Sequence, residues 1–206
     1  MNEIVAGLNV SRETMADLEA FAELVTKWTP KINLIAKGTV ASIWERHIID
    51  SVQLYRFAPS QYDKWVDIGS GGGFPGIIMA ILGKRAQPDA SFVLIESDQR
   101  KATFLRTAAR ELNLSTEVLA QRIENAAEQR ADIVSARALT ALSGLLPLSL
   151  RHLNQGGLAL FHKGRQAQQE IADARRIWSF DLEDYPSITD PEARILAIRR
   201  ISALGP

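Results

Sequence analysis

The sequence has no cysteine, which excludes a disulfide framework, a Cys-ligated zinc site, an iron–sulfur cluster and a thiol nucleophile, and makes the cytosol the expected compartment. Long apolar runs are missing too. The longest, residues 77–82, falls far short of the ~20 residues that a bilayer span requires. Residues 1–8 lack a positive flank and a sustained apolar stretch, so no secretory signal is expected. Nor is there an excess of charge of either sign: 24 Lys and Arg stand against 24 Asp and Glu. That balance disfavours a free nucleic-acid binder driven by counterion release and leaves room only for a local basic face. What remains is 206 residues, 46% hydrophobic and 23% charged, the balance of a soluble globular chain with length for one domain and an appendage.

Ser11 is placed to cap a helix whose apolar positions Met15, Leu18, Phe21, Ala22 and Val25 recur at helical spacing up to Trp28 and a break at Pro30. A second helix is predicted over 39–57, through Ile43, His47, Ile48, Val52 and Tyr55, ending before Pro59. From Lys64 the texture changes. Short apolar runs at 65–68, 92–95, 116–119, 133–135 and 158–162 read as strands, and 76–82, 101–112, 124–128 and 141–153 read as helices between them. Such alternation predicts an α/β fold with a mostly parallel sheet covered on both faces. Segments 178–185 and 194–201, separated by Pro186 and Pro191, predict an antiparallel hairpin at the sheet edge. The domain reading is a helical cap over 1–60 and one compact core over 61–206.

The densest motif is Val66-Asp67-Ile68-Gly69-Ser70-Gly71-Gly72-Gly73-Phe74-Pro75-Gly76, directly after a predicted strand and opening a helix. Glycine there lets the backbone turn sharply and approach a ligand with no Cβ in the way. Two cofactors compete. Gly71, Gly73 and Gly76 satisfy the dinucleotide fingerprint G-x-G-x-x-G, while Gly69, Gly71 and Gly73 satisfy a G-x-G-x-G that resembles motif I of S-adenosylmethionine methyltransferases. Asp67 helps to decide between them. A carboxylate beside the loop would repel a pyrophosphate and favour a ligand carrying an ammonium and a sulfonium, and S-adenosylmethionine is that ligand. Glu96, ending the second strand, can accept both ribose hydroxyl hydrogens of either cofactor.

Smaller pieces narrow the reading further: Asn33-Leu34-Ile35, Arg46-His47-Ile48-Ile49-Asp50-Ser51, Phe74-Pro75-Gly76 closing the glycine loop, Lys101 with Phe104-Leu105, Arg122 with Glu124, Ser135-Ala136-Arg137-Ala138 and Lys163-Gly164. With these the sequence resembles the bacterial 16S rRNA (guanine-N7) methyltransferases, the small-subunit methyltransferase G or glucose-inhibited division protein B family. The resemblance implies a Rossmann-like class I S-adenosylmethionine-dependent methyltransferase fold with an antiparallel edge strand and an N-terminal helical extension. It implies methyl transfer to one guanine of small-subunit rRNA, with Gly69, Phe74, Ile123, Glu124 and Arg137 lining the cofactor. Ser70 fits the family loop, whereas Gly72 stands where proline is frequent.

Guanine N7 carries an unprotonated lone pair, so no general base is obligatory, and catalysis would rest on holding N7 about 3 Å from the methyl carbon. Arg137 and Lys163 sit at the ends of strands four and five, where ligands bind in open α/β sheets, and are the candidates for positioning the substrate. Arg122, Lys163 and His47 are the candidates for contact with RNA. Lys27, Lys31, Lys37 and Arg46, with Trp28 and Trp44 between them, could meet RNA or form a surface over buried tryptophans. His47 and Asp50, three apart, could reach the substrate but suit a pair fixing the cap on the core. No metal is expected, since His152 and His162 lack companions at ligand spacing. The partner expected is 16S rRNA or the small ribosomal subunit, and the protein is expected to be a monomer. A nicotinamide-dependent oxidoreductase and a non-catalytic RNA-binding protein on the same fold are the competing readings.

Overall fold

The computed structural model describes residues 3–205; Met1, Asn2 and Pro206, which fall inside the expected domain limits, lie outside the described residues. A hairpin of β1 (Glu3–Val5) and β2 (Leu8–Val10) precedes α1 (Arg12–Ile32). Ser11 caps α1 as predicted, its hydroxyl accepting the Thr14 N–H at 3.2 Å. The helix does not stop at Pro30. Proline deletes one donor, but the turn survives because Asn33, in left-handed conformation, closes it by donating its N–H to Thr29 O at 2.9 Å.

The second predicted helix is instead a composite: a 3-10 turn Lys37–Ser42, a π-helical turn Trp44–Ile49, α2 (Asp50–Val52) and a 3-10 turn Gln53–Phe57. Its fully core-directed residues are Ile43, Ile48, Val52 and Leu54. Their spacings of five, four and two residues cannot all be met by a uniform 3.6-residue turn, so the coil widens and then tightens. Helix α1 packs through aromatic side chains. Phe21 lies 5.2 Å from Phe74 and 6.3 Å from Phe104, and Trp28 lies 5.6 Å from Phe104 between ring centroids, so Trp28 is a packing residue.

The core sheet runs β5-β4-β3-β6-β7-β9-β8. Strands β3 (Lys64–Ile68), β4 (Ser91–Ile95), β5 (Thr116–Leu119), β6 (Ala131–Arg137) and β7 (Leu153–Lys163) are parallel, as predicted, and β3, β4, β6 and the second half of β7 are mostly apolar because helices cover both faces. One face takes α1, α3 (Gly76–Ala86) and α4 (Gln99–Glu111); the other takes α5 (Leu142–His152) and α6 (Ala167–Ala174). Helix α6 was not expected, and the predicted helix over 124–128 shrinks to a 3-10 turn, Ile123–Asn125, because Ala126 is already extended toward β6. The predicted antiparallel hairpin lies at the sheet edge as β8 (Trp178–Pro186) and β9 (Arg194–Ala203): β9 pairs antiparallel with β7, and β8 takes the outside.

Strand order reverses between β3 and β6. The crevice outside the carboxyl ends of strands at such a switch point is where open α/β sheets bind ligands.

Candidate active site

A cavity of about 680 Å³ opens at that crevice, a size suited to a cofactor. The glycine loop forms its floor. Gly69 and Ser70 donate their N–H groups to Ile95 O at 2.9 and 3.1 Å, which ties the loop to the end of β4. Glu96 follows β4 and is buried, with Oε2 accepting the Gly71 N–H and Oε1 the Asp98 N–H, both at 2.7 Å. Each oxygen keeps a second lone pair, so the carboxylate that shapes the loop can also accept hydroxyls. Ile123 is an apolar patch on the opposite wall, held by His152 Nε2–H donating to its carbonyl at 3.1 Å. Gly69, Ser70, Gly71, Phe74, Glu96, Arg122, Ile123, Glu124 and Arg137 all line this cavity. Leu34, whose carbonyl approaches Gly72, and Leu139 also line it, although neither is among the cofactor residues expected from the sequence.

Two of the expected cofactor residues are not in that wall. Gly73 faces away, toward Ile77 and Phe21. Asp67 is 1% exposed beneath the loop, where Ser135 Oγ donates to its Oδ1 at 2.6 Å and Trp65 Nε1–H donates to Ser135 at 2.9 Å. Its Oδ2 lies against Gly76 with no hydrogen-bond partner among the described residues. Burial pushes the Asp67 carboxyl up to about 6, only partly offset by the Ser135 hydrogen bond. The carboxylate therefore does not present its charge to a ligand, and the electrostatic selection expected of it is replaced by a structural post joining β3 to β6. Ser70 is structural as well, its hydroxyl donating to Asp67 O at 3.0 Å.

Arg137, the last residue of β6, is the hub of the site and borders a second cavity, of about 720 Å³. Its guanidinium donates to Asp50 Oδ2 at 3.0 Å, Arg46 O at 3.2 Å and His47 Nδ1 at 2.8 Å, and lies 5.1 Å from the Phe74 ring. Arginine only donates, so His47 Nδ1 must be unprotonated, and Nε2–H then donates to Thr39 Oγ1 at 2.8 Å. His47 and Asp50 thus grip Arg137 rather than each other. His47, expected to touch RNA, has both nitrogens committed inside the protein.

Burial, then the charge of Arg137, depresses His47 from 6.5 to about 4. Its folded pKa lies below its unfolded one, so the unfolded chain binds more protons in the window from pH 6.5 down to about 4, and stability is lost as pH falls through it. Asp67 has the opposite sign, since its raised pKa makes protonation favour the folded state. The expected result is an imidazole NMR titration for His47 near pH 4 and a shallower acid loss of stability in His47→Gln than in the parent. A normal His47 midpoint would refute the arrangement.

The second cavity adjoins the first at Arg137 and residues 138–140, which border both. Ala138 takes φ +52, a conformation uncommon for alanine, and directs Leu139 onto Gly69. Lys163 pins the strip from below, donating to Thr140 O at 2.6 Å and pairing with Glu170 at 2.8 Å, while Glu170 also accepts Leu142 N–H at 2.8 Å. Lys163 is 8% exposed and its charge is neutralised. It is a clamp within the protein, where the sequence reading expects a base that positions the substrate and contacts RNA. Among the described residues no group of three or more metal-ligating side chains occurs, and no helix is long and apolar enough to cross a membrane.

A family model described as rRNA small subunit methyltransferase G matches residues 14–195. A protein of that name from Cereibacter sphaeroides is 52% identical over 199 residues, 97% of each chain, and one from Ruegeria pomeroyi is 51% identical over 195 residues, 95% of each. Among solved structures, a ribosomal protein L11 methylase from Lactobacillus delbrueckii superposes with TM-score 0.58 at 19% identity, covering 74% of this chain and 77% of that one. The T. thermophilus 16S rRNA N2 G1207 methyltransferase, in complex with AdoMet and guanosine, gives TM-score 0.53 at 13% identity, covering 78% of this chain and 41% of that one. These two likenesses establish the fold.

Proposed function

The chain belongs to the rRNA small subunit methyltransferase G family, and on that footing we propose that it transfers a methyl group from S-adenosylmethionine to N7 of one guanine in bacterial 16S rRNA. The observation that carries this reading is the shared lining: Arg137 and residues 138–140 border both a cofactor-sized cavity built on the glycine loop and an adjoining cavity of similar volume. The family match leaves the oxidoreductase and non-catalytic readings without support.

S-adenosylmethionine, when bound, supplies a methyl carbon on a positively charged sulfur. The glycine loop would give it a floor with few side chains, Glu96 would accept from ribose hydroxyls, Ile123 would offer an apolar face to adenine, and Glu124 and Arg122 stand at the exposed rim. No residue need remove a proton, because N7 attacks through a free lone pair. What the chain contributes is alignment and exclusion of water. Methylated guanine is cationic, and two of the cations lining the second cavity are already matched, Arg137 by Asp50 and Lys163 by Glu170. Their repulsion of the product is thereby muted. In this reading the cap over 1–60 supplies the grip on Arg137 and part of each cavity's lining, the core over 61–206 supplies the rest, and the protein acts as a cytoplasmic monomer on RNA or the small subunit.

The test is transfer of labelled methyl to purified 16S RNA and to 30S subunits, followed by borohydride and aniline cleavage, which cuts at N7-methylated guanine. One labelled, cleavable position is expected. Label that resists cleavage would place the methyl on another atom.

A further inference from the structure

The polar groups around the second cavity divide into committed and free. Arg137, Asp50, His47, Lys163 and Glu170 are paired as described. His162 donates Nε2–H to Asp50 O at 2.8 Å, and Thr189 Oγ1 donates to Asp50 Oδ1 at 2.7 Å. Among the described residues two charged groups are left. The exposed guanidinium of Arg46 has neither a hydrogen bond nor an ion pair. The carboxylate of Asp190 accepts only the Glu192 N–H, at 2.9 Å through Oδ1, which leaves Oδ2 open. The two do not pair with each other.

Both are displayed from pinned backbone. Arg46 belongs to the π-helical turn, an irregularity common at functional sites, and its carbonyl is held by Arg137. Asp190 sits in the β8–β9 turn, which is tied to the cap: Ile188 N–H donates to Gln53 Oε1 and Gln53 Nε2 donates to Ser187 Oγ, both at 2.9 Å. A turn fixed by hydrogen bonds of this kind presents its carboxylate with little ordering left to do on binding.

Resting on the function proposed above, we infer that the second cavity takes the target guanosine with Asp190 on its N1–H and N2 amino edge and Arg46 on a flanking phosphate. One free acceptor and one free cation match what a guanine nucleotide offers, two adjacent N–H donors and an anion. With N7 turned to the 138–140 strip, the Watson–Crick edge projects away from it, toward the β8–β9 turn. Adenine presents a lone pair at N1 and meets the carboxylate with repulsion. The base must also be unpaired, because a Watson–Crick partner would occupy the same edge.

The experiment compares small-subunit RNA carrying guanosine or inosine at the mapped position. Inosine lacks the N2 amino group and keeps the N7 lone pair. The parent enzyme is expected to lose about tenfold in kcat/KM on inosine, the worth of one hydrogen bond to a charged acceptor. Asp190→Ala should be slow on both RNAs with a ratio near one, at an unchanged unfolding midpoint, since Asp190 is exposed. Arg46→Gln should keep the parent ratio and lower the slope of log affinity against log salt by about 0.7, one single-strand phosphate contact. A parent ratio retained by Asp190→Ala, or a parent indifferent to inosine, overturns the base assignment; an unchanged salt slope in Arg46→Gln overturns the phosphate assignment. A parent that methylates neither RNA overturns the proposed function itself and this inference with it.

Discussion

Replacing Asp50 by alanine is expected to lower folding stability by about 3–5 kcal/mol and to abolish methyl transfer, whereas adding Arg137→Met to it recovers most of the stability and none of the activity. The pair is held at 3.0 Å with side chains only 16% and 15% exposed. Loss of one partner leaves a buried guanidinium with a neutral imidazole and a carbonyl in place of a counter-charge. Loss of both removes the desolvation cost along with the attraction, which is why buried pairs are often replaceable by apolar residues of similar volume. Urea denaturation of the parent, Asp50→Ala, Arg137→Met and the double variant closes the cycle. A double variant as unstable as Asp50→Ala would show that Asp50 acts chiefly by tying the cap to the β8–β9 turn through Thr189 and Gln53. The activity result separates the roles: an apolar side chain at 137 fills the site but cannot hold the lining shared by the two cavities in register.

How much of this was legible in the sequence follows the range of the interactions. Strands β3 to β7 were readable because most of them are local apolar runs, and the glycine loop because its composition has few other uses. The β1–β2 hairpin was missed because three-residue strands show no periodicity and its turn is Ala6-Gly7, where Asn-Gly would have been a plain signal. Helix α6 was missed because only Ala167, Ile171 and Ala174 face inward, among glutamines. Misread side chains share one cause. Asp67 and Trp65 are two apart on one face of β3 and both bond Ser135, which register places opposite Asp67 on β6. That contact spans 68 residues of chain and leaves no local trace. Lys163 looked free because its partner, Glu170, lies on the helix that was missed. Position at a strand end is legible; which way the side chain is spent there is decided by neighbours far away in sequence.

The same distinction runs through the glycine loop itself. Gly71 and Gly73 both have positive φ, +54 and +89, and look interchangeable in the motif. Their surroundings differ. A Cβ on Gly73 would stand 2.8 Å from Ile77 Cγ1 and 2.9 Å from Phe21 Cζ, where α1 packs against α3. Gly73→Ala is expected to cost about 2–5 kcal/mol, adding backbone strain of about 1–2 to overpacking of about 1–3. A Cβ on Gly71 meets nothing nearer than Gly69 O at 3.8 Å and points into open space, so Gly71→Ala should cost only the strain, about 1–2 kcal/mol. Its effect belongs to binding: that Cβ narrows the floor on which the cofactor rests, and calorimetry should show weakened S-adenosylmethionine affinity in a folded protein. Gly73→Ala, examined below its own unfolding transition, should bind with near-parental affinity, because position 73 is not in the cavity wall. Equal destabilisation by the two alanines, or a binding defect confined to position 73, would mean that the loop's glycines are not divided between packing and ligand as the structure divides them.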